Sequence, residues 1–108
     1  MNEKEDELKA QNEMAYYCEM LRGTLHHMKE ILCIAQQSDA PNLVHTMART
    51  EWDTATNVHT HLQNQMAKVG RNAHNGALFT MCEMVCEKYA HKKYKYEQFT
   101  KAKKNNPY

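Results

Sequence analysis

The residues of this chain that could hold a soft metal ion are its eight Met, seven His and four Cys. Cys82 and Cys86, in the segment MCEMVC, are four residues apart and would share one face of a helix. Two thiolates at that spacing could supply half of a tetrahedral site. Cys18 and Cys33 are fifteen residues apart and do not form a second such pair. Thiophilic metal binding is therefore one hypothesis, and small buried cysteines in a helical core are the alternative.

The histidines do not predict catalysis. His26 and Glu30 are four residues apart, but the sequence lacks the paired Glu-x-x-His motifs of carboxylate-bridged metal bundles. His59 and His61 are two apart, so they point to different faces of a helix and cannot chelate together. The sequence also has no Gly-rich phosphate loop, no Gly-x-Ser-x-Gly and no His-Glu-x-x-His. We therefore expect a protein that is not an enzyme and that uses no cofactor.

The segment ARTEWDTATNVHTHLQNQ, residues 48–65, carries an unusual polar face around the only Trp of the chain. Thr is a poor choice for a merely solvated helix face, where Lys, Glu and Gln have better propensity. Short hydroxyls and amides beside one Arg and one Trp suit close contact with a polar, planar ligand or with a partner helix. The residues of this face are Thr46, Arg49, Thr50, Asp53, Thr56, Asn57 and Thr60, with Trp52 beside them. We predict ligand binding by Arg49, Thr50, Trp52, Asp53 and Asn57, and an ordinary exposed face is the alternative.

A basic, aromatic segment follows near the end of the sequence. Residues 82–108 hold seven Lys and three Glu, whereas residues 1–20 hold six acids and two Lys. Lysines interleaved with rings are typical of a surface that binds nucleic acid or another anion. Tyr89, Tyr96 and Phe99, however, fall at heptad spacing and are more easily explained as core. The lysines of this segment are Lys88, Lys92, Lys93, Lys95, Lys101, Lys103 and Lys104.

The composition predicts an all-α chain, because three Gly and two Pro in 108 residues are too few for a protein with many turns. No stretch of 18 apolar residues is present, and the segment MNEKEDELKA is acidic and polar, so we expect neither a transmembrane span nor a secretory signal. We accordingly expect a cytoplasmic protein without membrane association, in which the four cysteines are free thiols.

Hydrophobic periodicity predicts a single domain of three long helices, at about residues 3–37, 41–69 and 76–101, with a frayed tail at 102–108. The first helix has an apolar stripe with alternating spacings of four and three: Met14, Cys18, Leu21, Leu25, Met28, Leu32 and Ala35. The second stripe comprises Val44, Ala48, Glu51 or Trp52, Ala55, Val58, Leu62, Met66 and Val69. The third comprises Leu78, Met81 or Cys82, Val85, Tyr89, Tyr96 and Phe99.

Turn residues complete this prediction. Asp39, Ala40 and Pro41 suit the start of the second helix, Gly70 suits its end, and residues 72–76 form the second turn. Short turns make neighbouring helices antiparallel, which gives an up-down-up bundle. The acidic start and the basic end then lie at opposite ends of one protomer, so attraction between them would act between chains. Because the predicted core is thin, we expect a homo-oligomer.

Residues 39–55, DAPNLVHTMARTEWDTA, resemble the phage helical-hairpin proteins that act as cyclic-oligonucleotide sponges against CBASS immunity. Those families have an Asp/Pro turn, an apolar helical turn, and an Ala-Arg-Thr or Gly-Lys-Thr step followed by an acidic and a large apolar residue. The segment Ala48 to Trp52 fits that step. Polar Thr56 and Asn57 depart from it, and the third helix has no counterpart in the minimal hairpin.

The resemblance implies a symmetric oligomer that sequesters a cyclic nucleotide between protomers without cleaving it. Arg49 would contact phosphate and Thr50 would donate a hydrogen bond. From their chemistry, Tyr16 or Tyr17 could stack on a base. A module that inhibits or bridges a protein partner through the same face or through the basic segment is the alternative function.

Overall fold

The computed structural model describes residues 3–37 and 42–105, together with the side chains of residues 3–35 and 43–101. The described chain forms three helices and no strand: α1 (Glu3–Gln37), α2 (Asn42–Val69) and α3 (Gly76–Asn105). The predicted all-α bundle is therefore confirmed. Residues 38–41, which include the predicted cap at Asp39 or Ala40 and the predicted helix start at Pro41, lie outside the described residues.

One predicted boundary is wrong. The third helix was expected to end at residue 101, but α3 continues to Asn105. The residues that extend it are mostly Lys and Ala, which have high helix propensity. Of the predicted frayed tail, residues 102–105 are helical, and 106–108 lie outside the described residues.

The apolar stripe of α1 forms the centre of the core, as its spacing predicted. Its side chains expose between 0% and 8% of their surface. They are Met14, Cys18, Leu21, Leu25, Met28, Leu32 and Ala35. Leu62 of α2 and Cys82 of α3 are fully buried against this stripe. Burial of such side chains supplies most of the free energy that holds the helices together.

The apolar stripe of α2 contacts both α1 and α3. Glu51 and Trp52 are both half-buried, but in different directions: the Glu51 carboxylate lies 3.1 Å from Nδ1 of His27 on α1, whereas Trp52 packs on rings of α3. Gln65 is a buried polar residue that the periodicity did not predict. Its amide donates hydrogen bonds to the backbone oxygen of Ala10 and to Glu13, 3.2 and 2.9 Å away, which fixes the register of α2 on α1.

The turn between α2 and α3 is built from Gly70, Asn72 and Asn75. Gly70 has a φ of 71°, which favours glycine, and its N–H donates to the Met66 oxygen at 2.8 Å. The Asn75 side chain is only 2% exposed. Its amide donates to the Gly70 oxygen, and its side-chain oxygen accepts from the backbone N–H of Asn72, both at 2.8 Å. This closed network directs α3 back along the bundle.

The three helices form an up-down-up rod that measures 58 × 21 × 18 Å. α1 packs most extensively on α2, and α3 lies in the groove between them with the least contact to α2. Cys82, Val85 and Tyr89 are the buried residues of α3, while Met81 is exposed, which decides the predicted choice between Met81 and Cys82. Over the described residues, no helix is sufficiently long and apolar to cross a membrane.

Candidate functional site

A continuous column of aromatic rings joins α2 to α3. Trp52 of α2 stacks between Tyr89 and Tyr96 of α3, with centroid distances of 4.9 and 5.2 Å. The column continues through His59, which stacks on Tyr89 at 3.9 Å, and through Tyr96 to Phe99 at 6.4 Å. His45 completes it by stacking on Phe99 at 4.6 Å. The three rings of the basic segment at heptad spacing, Tyr89, Tyr96 and Phe99, therefore form the packing surface of α3. This is the core alternative that their spacing indicated.

The polar face of α2 supports this column. The hydroxyls of Thr56 and Tyr89 lie 3.1 Å apart and form a hydrogen bond. Arg49 and Asp53 lie beside Tyr96: burial raises the pKa of the Tyr96 phenol, the Asp53 charge raises it further, and the Arg49 charge lowers it. A buried tyrosine hydroxyl needs a polar partner, and Thr56 supplies one from α2 within the same chain. Thr46, Thr50 and Thr60 of the same face remain exposed.

The predicted ligand residues do not form one cluster. Arg49, Thr50, Asp53 and Asn57 are exposed along α2, while Trp52 is half-buried in the column. The Thr50 carbonyl accepts a hydrogen bond from Thr54.

The two predicted stacking tyrosines lie elsewhere. Tyr17 stacks on His61 at 5.4 Å, and Tyr16 packs edge-on against Tyr17. Because His61 is twelve residues from Arg49 along α2, these rings are about 18 Å from Arg49 along the bundle axis. A single mononucleotide would not reach both places.

A concave surface lies between the parallel helices α1 and α3, and we call it the α1–α3 groove. Its central part has a volume of about 810 Å³ and is lined on the α1 side by Arg22, Leu25 and Lys29. Met84, Lys88 and Lys92 of α3 form the other wall. None of the residues predicted to bind ligand lines this groove.

At one end of the groove, three lysines converge beside aromatic rings. Lys29 of α1 and Lys92 and Lys95 of α3 line a space of about 460 Å³ together with Tyr94 and Phe99. Among the described side chains that line this end, none is Asp or Glu. We call this end the lysine pocket. Its volume is within the usual range for small-molecule sites, about 300–1,000 Å³.

The charges of the lysine pocket repel one another. Burial lowers the pKa of Lys92 below its ordinary value of 10.5, and the charges of Lys95 and Lys29 lower it further. Neighbouring ammonium groups without a lining carboxylate create a positive potential that favours a bound anion. Phosphate groups would satisfy several N–H donors at once. The pocket can thus bind and orient an anion.

Sequence reasoning identified Lys92 and Lys95 as part of the basic segment but missed their partner Lys29. The missing information was the pairing of α1 with α3. Cys18 and Cys82 are hydrogen-bonded neighbours, so the two stripes run in parallel with an offset of 64 residues. That offset brings Lys29 level with Lys92 and Lys93, which could have been recognised by aligning the first and third stripes at their cysteines.

Cys18 and Cys82 are buried in the core with Cys86 packed against them, whereas Cys33 is exposed. Burial raises the pKa of Cys82 to about 12, and the neighbouring Cys18 raises it further; burial also raises the pKa of Cys86. Thiols that remain protonated are poor metal ligands. Within residues 3–37 and 42–105, no group of three or more His, Cys, Asp or Glu side chains is placed to hold a metal ion.

Comparison with protein-family models, curated proteins and solved structures gives no match.

Proposed function

We propose that this chain is a non-catalytic binding protein whose lysine pocket holds an anionic, nucleotide-like ligand. One observation carries the proposal: Lys29, Lys92 and Lys95 converge on a space of about 460 Å³ whose described lining includes no carboxylate. Keeping three positive charges together costs free energy in the unliganded protein, and an anion offsets that cost. Relief of this repulsion by a bound anion therefore contributes to the free energy of binding.

The rings of the pocket favour a nucleotide over a simple phosphate. Tyr94 is 61% exposed and Phe99 is half-buried, so both present ring surface to the same space as the lysines. A base stacked on such a ring gains about 1–3 kcal/mol, and the lysines bind the phosphates. The resemblance of residues 39–55 to phage sponges makes cyclic oligonucleotides the first ligands to test. In that role the protein would be cytoplasmic and would counteract host defence by sequestration.

Isothermal titration calorimetry with cyclic dinucleotides and cyclic trinucleotides tests the proposal. Lys92→Gln should weaken binding about tenfold or more, because it removes a charge-assisted contact worth about 1.5–3 kcal/mol. Lys68→Gln is the matched control, since Lys68 is exposed in the last turn of α2, outside the residues that line the pocket. Affinity should also fall as salt concentration rises. Intact ligand recovered after incubation would agree with binding without turnover.

Arg49→Ala separates this pocket from the ligand face predicted on α2. If the ligand binds in the lysine pocket, Arg49→Ala should leave the affinity unchanged while Lys92→Gln lowers it. The reverse pattern would place the ligand on α2, where Arg49, Thr50 and Asp53 are exposed. Absence of heat and of thermal stabilisation with every nucleotide would reject nucleotide binding altogether.

A second candidate function is binding of an acidic protein segment along the whole α1–α3 groove. The central part places the 54% exposed Met84 among Arg22, Lys29 and Lys88, and the cations of this part outnumber its two carboxylates, Glu19 and Glu87. An amphipathic helix with acidic flanks would bury its apolar face on Met84 and pair with the cations. In this case Met84→Lys would abolish co-purification of the partner, whereas the response to free nucleotides would be absent from the start.

A further inference from the structure

The side of the α1–α2 hairpin that faces away from α3 carries large exposed apolar residues. On α1, Tyr16 lies nine residues from Leu25, which lines the α1–α3 groove, and nine residues at 100° each place it about 180° around the helix. Ile34 is eighteen residues from Tyr16, or about five turns, so both share this outward face.

The outward face continues onto α2. Met47 and Leu43 precede Trp52, which packs on α3, by five and nine residues, and therefore lie about 140° and 180° around α2 from it. His27 and Glu51, which pair at 3.1 Å, connect the two helices on the same side. We call this surface the back face and define it by Tyr16, His27, Ile34, Leu43 and Met47.

The back face is more apolar than a solvated helix surface requires. Tyr16, Ile34, Leu43 and Met47 expose 61%, 54%, 67% and 48% of their surface. Exposed apolar residues that cluster on one side, rather than being scattered singly, mark an interaction surface. The apolar residues lie toward its two ends: Tyr16 toward the start of α1, and Ile34, Leu43 and Met47 toward the α1–α2 turn.

The distribution of charge selects a second copy of this chain as the partner, in the antiparallel direction. The first turn of α1 is acidic, with Glu3, Glu5 and Asp6, while the lysine pocket lies at the opposite end of the 58 Å rod. An antiparallel pair brings the acidic end of each copy to the basic end of the other, whereas a parallel pair brings like charges together.

We propose that two copies of this chain associate through their back faces as an antiparallel, two-fold symmetric dimer. Tyr16 of each copy then lies opposite Ile34 of the other, and the symmetry axis passes near residue 25 of α1. α1 and α2 of both copies form a four-helix core, and the α1–α3 groove stays outside the interface. The proposal uses the positive charge of the lysine pocket but does not depend on ligand binding there.

The size of the molecule is sufficient for such an interface. One side of the bundle is 58 Å long and 18 to 21 Å wide. It therefore offers on the order of 1,000 Å², whereas one partner in a standard interface buries about 800 Å². Contact of self-complementary surfaces about a two-fold axis is also the commonest form of homo-oligomer.

Sedimentation equilibrium tests the association. The wild type should have twice the chain mass of 12.7 kDa. Met47→Lys should raise the dissociation constant about tenfold or more, because it buries a charge at the centre of an apolar contact. Met81→Lys is the matched control: Met81 has a similar exposure, 45% against 48%, but lies on α3. A monomeric wild type, or equal effects of both variants, would overturn the proposal.

Disulfide trapping tests the direction. In a Cys33→Ser background, Tyr16→Cys combined with Ile34→Cys should be linked by mild oxidation into a covalent dimer. Ile34→Cys alone should remain unlinked, since the two copies of residue 34 lie at opposite ends of the interface. Linking by Ile34→Cys alone requires a parallel pair and would overturn the antiparallel arrangement.

Discussion

At the scale of single residues, Lys92 lines the lysine pocket together with Lys29 and Lys95, whose positive charges act on it. Burial and these two charges lower its pKa. A lysine whose folded pKa is lowered binds its proton less well in the folded state than in the unfolded state. The penalty is therefore fully present at neutral pH, and it disappears as the pH rises through the lowered pKa toward 10.5.

Lys92→Gln should consequently stabilise the unliganded protein at pH 7 while it weakens anion binding. Relief of one like-charge contact of this kind amounts to about 0.2–0.5 kcal/mol. Urea unfolding of wild type and variant at pH 7 measures the difference. Lys68→Gln is the control that should not be stabilised, because Lys68 lies in the last turn of α2 and its charge interacts favourably with the helix dipole. A clear loss of stability in Lys92→Gln would mean that the lysine holds the fold together rather than serving binding.

At the scale of helices, the contact between α2 and α3 depends on rings that include an ionisable one. His59 stacks on Tyr89 at 3.9 Å and lines a groove with Lys93, Glu83 and Glu87. Burial lowers the pKa of His59 below 6.5, and the charge of Lys93 lowers it further. The contribution of this group to stability is therefore present above pH 6.5 and is lost as the pH falls through the lowered pKa.

We therefore expect the free energy of unfolding of wild type to exceed that of His59→Gln by more at pH 7.5 than at pH 5. The difference shrinks on acidification because the pH falls through the ordinary and then the lowered histidine pKa. Denaturant unfolding of both proteins at the two pH values gives the double difference, in which titration of the other histidines cancels. His74→Gln, at an exposed position in the α2–α3 turn, is the control and should show no such change. An advantage that grows on acidification would contradict the lowered pKa.

The helices also show what sequence can and cannot predict. The alternating spacing of four and three fixed all seven buried positions of the α1 stripe, because periodicity within one helix is a local property. Trp52 and Glu51 could not be assigned in the same way, since their directions depend on where α3 docks. The lysine pocket was missed for the same reason: Lys29 and Lys92 are 63 residues apart and meet only through the packing of α1 on α3.

At the scale of the whole molecule, one core links all three helices. Leu21 of α1, Leu62 of α2 and Cys82 of α3 are each 0% exposed and belong to the same cluster. Leu62→Ala should therefore cost about 2–5 kcal/mol and should lower the stability of the entire bundle in a single transition. Leu8→Ala, at a position that is 60% exposed, is the matched control and should change stability little.

Far-ultraviolet circular dichroism during thermal unfolding provides the measurement. Both variants should keep the helical signal of wild type at low temperature, and only Leu62→Ala should shift the midpoint markedly downward. Two separate transitions in either variant would show that α3 unfolds independently of the α1–α2 hairpin. That result would contradict a core shared by all three helices.

The position of Trp52 has an optical consequence. Because the only indole of the chain is stacked between Tyr89 and Tyr96, its fluorescence and its near-ultraviolet dichroism depend on α3 being docked. Detachment of α3 would expose the indole to water, shift its emission to longer wavelength and abolish coupling with the tyrosines, even while every helix stayed intact. The protein thus contains an intrinsic spectroscopic probe of its least extensive helix contact.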